Sequence, residues 1–229
     1  MTDTRSIPDL VTLTQPHSAA AEAYRTLRTS LDFSSLDRSL RTLVVTSAAP
    51  NEGKSTALAN LGVTLAQAGR RVILVDADLR RPSLHQLFRL PNTAGLTTML
   101  LDENALAAPP FQDGPVDGLL ILTSGPLPPN PAELMASRRI ATLVETLRDQ
   151  ADIVLFDAPP LIAVSDAATL AARVDGVILV VQAEKTKREH VQRAKTLLDR
   201  VKAHLVGAVL TDVRLDRSVS YYGSEGSNP

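Results

Sequence analysis

The 229-residue chain has no Cys and no Trp, and its aromatic residues are three Tyr and four Phe. Without Cys there is no disulfide, no thiolate nucleophile and no Cys-ligated zinc. An excess of one charge is also missing, with 24 Lys+Arg against 25 Asp+Glu. That balance excludes a globally basic surface that would coat nucleic acid or acidic lipid. Long hydrophobic runs are absent too. The longest covers residues 177–181, far short of the roughly 20 residues of a membrane-spanning helix, and the polar N-terminus has no signal-peptide core. These absences predict a soluble, unsecreted chain with no direct membrane insertion and no nucleic-acid partner. What is present is 44% hydrophobic residues, enough for the core of one α/β domain.

Residues 1–17 are polar and contain Pro, and read as a flexible lead-in. A helix is expected over 18–31, where Ala20, Tyr24, Leu27 and Leu31 form one stripe that should pack inward. Strand-length apolar runs follow at 41–46, 71–75, 118–123, 152–156, 177–181 and 206–210. Several are continuous rather than alternating, which marks strands covered on both faces. Helical patterns lie between them at 54–68, 131–148, 166–172 and 187–201, with Gly69 placed to stop the first. Strand–helix alternation predicts an α/β fold with a mainly parallel central sheet flanked by helices on both faces. Residues 106–118 read as a long surface loop, and 216–229, rich in Ser and Gly, as a disordered tail, leaving 18–215 as the domain.

The strongest local signal is residues 44–56, VVTSAAPNEGKST: a strand, a turn and a helix start. Free N–H groups and the helix dipole at such a start make a phosphate socket. Ala49, Pro50, Asn51, Glu52, Gly53, Lys54, Ser55 and Thr56 would line it. In a P-loop, Lys54 reaches the β/γ-phosphates and the Ser55 hydroxyl sits on Mg²⁺. The strict pattern has Gly where this chain has Ala48. Two further strands end in acids, 72–75 in Asp76-Ala77-Asp78 and 153–156 in Asp157. Carboxylates at that edge of an open α/β sheet face its ligand site, and residues i and i+2 share one side of a strand. Asp78 and Asp157, with Ser55, suit a phosphate-bound Mg²⁺, which takes oxygen ligands. Nucleotide and Mg²⁺ binding follow. Lys54, Asp76, Asp78 and Asp157 are the candidate reactive set, with the division of roles between Asp76 and Asp78 open. Arg80 has two readings, charge stabilisation or pairing with an acid.

With these motifs the chain resembles the bacterial tyrosine kinases of capsule and exopolysaccharide synthesis, in their cytoplasmic P-loop catalytic domain. The correspondence runs through 47–56, through 72–78 with Arg80-Arg81-Pro82, and through 153–157 with Ala158-Pro159-Pro160. Asn51 stands where Gly is usual, and Asn tolerates positive φ better than most residues. The Pro-rich stretch 125–134 and Ser165-Asp166-Ala167 also match; both read structurally as helix starts, the first with Asn130 as N-cap and Pro131 at the first helical position. Glu22, Arg25 and Arg28 match an assembly motif, which implies a ring-shaped homo-oligomer. They span an arc of about 120° opposite the apolar stripe. Tyr221 and Tyr222 form a short version of the family's tail cluster, which implies autophosphorylation in trans; the eleven residues from Leu210 to Tyr221 can stretch roughly 36–40 Å.

The resemblance therefore implies ATP with Mg²⁺, tyrosine phosphoryl transfer, and a separate membrane-embedded activator that recruits a cytoplasmic kinase to the inner face of the plasma membrane. Two other readings compete. A partitioning or septum-positioning ATPase switch shares the fold, but its signature Lys five residues before the catalytic one is Ala49 here. A non-catalytic, ATP-dependent assembly protein of polysaccharide export would leave Tyr221 and Tyr222 idle.

Overall fold

Strands that are apolar on both faces need cover on both faces, and the central runs meet that demand as neighbours in one sheet. The computed structural model describes residues 8–35 and 38–213. Its strands are β1 Thr42–Ser47, β2 Val72–Asp76, β3 Gln112–Asp113, β4 Leu119–Leu122, β5 Ile153–Asp157, β6 Gly176–Gln182 and β7 Leu205–Thr211. The order is β3-β4-β2-β5-β1-β6-β7, parallel except for β3. Every residue of β1, β2 and β5 is buried.

The helices are α1 Val11–Thr14, α2 Ala19–Ser34, α3 Lys54–Gln67, α4 Leu84–Leu87, α5 Leu96–Leu101, α6 Glu103–Ala107, α7 Pro131–Ala136, α8 Arg139–Gln150, α9 Asp166–Ala171 and α10 Arg188–Arg200. Alternate strand residues feed two apolar layers, as the two-residue period of a strand requires. Val44, Ile73 and Phe156 pack with Leu143 of α8, Leu170 of α9 and Leu198 of α10. Val45, Leu74 and Leu155 pack on the other side with Leu58 and Leu61 of α3 and Leu31 of α2. The expected sheet with helices on both faces is therefore present.

Four expectations need correction. The lead-in is not loose over residues 8–14: Leu10 is fully buried, and Thr12 donates through its amide and hydroxyl to Asn60 Oδ1 at 3.1 and 2.8 Å. The pattern at 131–148 breaks into α7 and α8, since Ser137 is extended at ψ 157°. The 106–118 segment holds β3, which adds an antiparallel edge to β4. On α2, Ala20 is exposed and Ala21 takes the inward position, with Leu31 buried and Tyr24 and Leu27 half-buried. The remaining tail, with Tyr221 and Tyr222, lies outside the described residues.

Candidate nucleotide site

Strand order decides where the chemistry gathers. β5 lies between β1 and β2, and its last residue is in register with both, Asp157 opposite Val45 and opposite Asp76. The phosphate loop after β1 and the acids after β2 and β5 thus meet at the carboxyl edge of the three central strands. The loop turns through two left-handed residues, Asn51 at φ 62° and Gly53 at φ 81°. A Cβ on Gly53 would meet Thr211 Cγ2 at an ordinary 3.5 Å, so backbone angle rather than space demands glycine there. The amides of residues 51–56 have no hydrogen-bond partner among the described residues. Unpaired donors at a helix start are what an anion needs.

Lys54 Nζ lies 3.0 Å from Asp78 Oδ2 and 3.0 Å from Asp157 Oδ1. Ser55 Oγ donates to Asp157 Oδ2 at 2.5 Å. Asp78 Oδ1 accepts from the amides of Arg80 and Arg81 at 3.3 and 3.0 Å. Asp76 is fully buried; its Oδ2 accepts from the amides of Ser83 and Leu84, both at 2.9 Å, while its Oδ1 has no partner. Burial pulls the Lys54 ammonium toward its neutral form, but Asp157 and Asp78 outweigh it and hold its pKa above the usual lysine value. Burial raises Asp157 in spite of Lys54 and Ser55. Burial, and then the charge of Asp157, push Asp76 up to about 7.

A stability prediction follows from that shift. With its folded pKa above the unfolded one, Asp76 stabilises the fold most below the usual carboxylate range, and this contribution is lost as pH rises through about 7. Denaturation of the protein without nucleotide should show stability falling between about pH 4 and about pH 7. Asp76→Asn should flatten that slope, and an unchanged slope would remove Asp76 as its source.

A cleft of about 490 Å³ opens beside the loop and is lined by Lys54, Ser55, Asp78, Arg80 and Arg81 among others. Asp76 does not line it. A second groove of about 630 Å³ runs between α2 and β7 and shares Gly53 and Thr56 with the first. Of the two readings of Arg80, the structure shows the pairing: Nε donates to Asp166 Oδ2 at 2.8 Å, and Asp166 is buried at the start of α9. Asn130 is an N-cap by position, but its amide reaches Glu133 at 3.3 Å instead of capping the backbone.

The three α2 charges are not all turned outward. Glu22 is exposed and pairs with Arg25 at 2.6 Å. Arg25 also donates to the Pro16 carbonyl, and Arg28 to the Thr64 carbonyl of α3 at 3.3 Å. Both arginines are half-buried. Sequence inspection also missed the partners of the loop tip, Thr186 and Thr211. A signal for Thr186 was present, since an acid such as Glu52 inside a phosphate loop needs hydrogen-bond donors from elsewhere; the Thr211 hydroxyl bonds the Glu52 carbonyl, which no side chain announces.

Among the described residues no group of three or more His, Cys, Asp or Glu has the spacing of a metal cage. That fits Mg²⁺, which takes one or two carboxylates and completes its shell with water and substrate phosphates. Three buried or nearly buried carboxylates face a single ammonium here, so the site has charge to spare for a cation.

A ParA family profile, described as NUBPL iron-transfer P-loop NTPase, matches residues 39–212. The iron chemistry in that description has no thiolate ligand here, because the chain lacks Cys. The chain is 42% identical over 219 residues to the tyrosine-protein kinase YwqD of Bacillus subtilis, covering 95% of this chain and 92% of that protein. The solved kinase domain of the Escherichia coli tyrosine kinase ETK matches with a TM-score of 0.87 and 33% identity, over 100% of this chain and 88% of that one. The chimerical protein CapA2B2 matches with a TM-score of 0.82 and 38% identity, over 88% of each chain.

Proposed function

The chain belongs to the bacterial tyrosine-protein kinases, within the ParA-type P-loop NTPases, and from that premise we propose that it transfers the γ-phosphoryl group of ATP to Tyr221 and Tyr222 of a neighbouring copy. The observation that carries the reading is Lys54 set between Asp78 and Asp157 at the mouth of a loop with unpaired amides. Phosphoryl transfer is mainly a matter of positioning and charge stabilisation. The amides of residues 51–56 and Lys54 would hold the β- and γ-phosphates. Ser55, Asp78 and Asp157 would hold Mg²⁺, which offsets phosphate charge. The groove between α2 and β7 would take the base, against Tyr24.

In the transfer, the tyrosine oxygen bonds to the γ-phosphorus, the bond to the bridging oxygen breaks, and ADP departs. The hydroxyl proton goes to Asp76, whose free Oδ1 and near-neutral titration suit a general base. Asp78 lines the cleft and Asp76 does not, so that proton would pass through one water, within the reach a general base allows. Glu22, Arg25 and Arg28 are proposed to hold the copies in a ring. Of these, Glu22 is the most accessible. The kinase would serve capsule or exopolysaccharide synthesis as a cytoplasmic protein recruited by a membrane-embedded activator. Among the described residues no helix is long and apolar enough to cross a membrane.

The test mixes two inactive halves. Lys54→Met copies keep the tail, and Tyr221→Phe/Tyr222→Phe copies keep the site. With Mg-ATP, neither alone should gain phosphotyrosine, whereas the mixture should gain it on Tyr221 or Tyr222 of the Lys54→Met copies, read by intact mass and peptide sequencing. Native protein that binds ATP and gains no phosphotyrosine, even with the activator's cytoplasmic segment, would leave a nucleotide-driven assembly protein or ATPase switch. Phosphotyrosine on native protein but not in the mixture would overturn transfer in trans.

A further inference from the structure

Glu52 is an acid in a place built to attract anions. It is 4% exposed, and its carboxylate is consumed from two sides. Oε2 accepts from the Ala49 amide at 3.0 Å, and Oε1 accepts from the Thr186 hydroxyl at 2.6 Å. Thr186 belongs to the connection between β6 and α10, and its own oxygen accepts from the Gln182 amide at 2.9 Å. The Glu52 carbonyl accepts from the hydroxyl of Thr211, the last residue of β7, at 2.8 Å. One residue at the tip of the loop is thus tied to its own turn, to the end of β6 and to the end of β7.

Those ties bracket the two left-handed residues, Asn51 and Gly53. Left-handed backbone is costly for a non-glycine residue and persists where its surroundings over-determine it. The Ala49 amide is used up by Glu52 and is not a phosphate donor, whereas the amides of 51–56 remain unpaired. We propose that Glu52 is a positioning residue for phosphoryl transfer: clasped by Thr186, its side chain touches no nucleotide but holds the loop tip in the turn that directs the following amides at the phosphates. The inference rests on the nucleotide reading above. It also makes Thr186, 134 residues away in sequence, part of the machinery that sets nucleotide affinity.

The experiment compares the full-length native protein with Thr186→Val, which deletes the hydroxyl, and Thr186→Ser, which keeps it. Mg-ADP affinity is measured by calorimetry, and KM for ATP and kcat by phosphotyrosine formation. A buried acceptor left without its donor typically loses about a factor of ten in the equilibrium it supports. Thr186→Val should therefore weaken Mg-ADP binding and raise KM about ten-fold with kcat within about two-fold, the pattern of lost binding rather than lost chemistry. Thr186→Ser should restore both, which a packing role of the methyl group would not permit. If valine impairs folding, Thr186→Ala replaces it. ADP affinity and KM within about two-fold of native in the Val or Ala variant, or a loss that Ser fails to restore, would overturn the clasp. Native protein that fails to bind Mg-ADP would instead overturn the nucleotide reading itself.

Discussion

Lys54→Met is expected to reduce the rate of phosphotyrosine formation by about 10²–10³, the usual cost of one preorganised charge contact, and to destabilise the folded protein as well. The second effect arises because Lys54 is the ammonium set 3.0 Å from both Asp78 and Asp157, and Asp157 is fully buried. Removing one partner of a buried pair strands the other charge, typically at about 3–5 kcal/mol. The stranded Asp157 carboxylate would rise further in pKa, so the loss should be larger at about pH 8 than at about pH 6, where protonation relieves it. Denaturant unfolding of both proteins at the two pH values measures this. An equal loss at both would show that Lys54 acts on stability through packing instead of charge.

Asp157→Asn should be as damaging to activity and opposite in stability. The same order of loss, about 10²–10³ in rate, is expected because the position joins Ser55, Lys54 and the proposed Mg²⁺. Yet burial is the first cause of its raised pKa, which means that the charged form is costly to the fold. Asp157 also stands opposite Asp76 in the sheet and raises that residue too. Asparagine removes the charge at nearly the same volume, so the melting temperature at about pH 8 should stay level or rise while phosphotyrosine formation disappears. A variant that is both inactive and much less stable would show that the Lys54 pair stabilises the fold more than the buried charge costs. One that keeps most of its activity would exclude Asp157 from the site.

Together the two variants separate what the site does for the fold from what it does for chemistry. The folded protein confines three acids with one lysine, an arrangement that is electrostatically poor until cations and phosphates join it. Functional sites commonly hold such unfavourable charge, and the surrounding core offsets it.

Much of this site was legible from contiguous residues. A strand, a turn and a helix start encode the phosphate loop within 44–56, because each is a local conformation set by nearby residues. The acids at 76, 78 and 157 were legible because each ends an apolar run. Short elements were less so. Helix α5 buries Leu96, Met99 and Leu100, but six residues are too few to show a helical period. Strand β3 has two residues and exists only through its pairing with β4.

By itself the sequence determined the α/β class, the loop chemistry and where the ionisable side chains stand along the chain, since these depend on neighbours in sequence. Tertiary structure alone decided that β5 lies between β1 and β2, which makes three separate motifs one site. It decided that Arg80 is held by Asp166, 86 residues away, and Glu52 by Thr186, 134 residues away. It also set the rotation of α2, placing Ala21 inward and tying Arg28 to α3. Buried charges must find partners wherever packing brings them, and packing is a property of the whole chain.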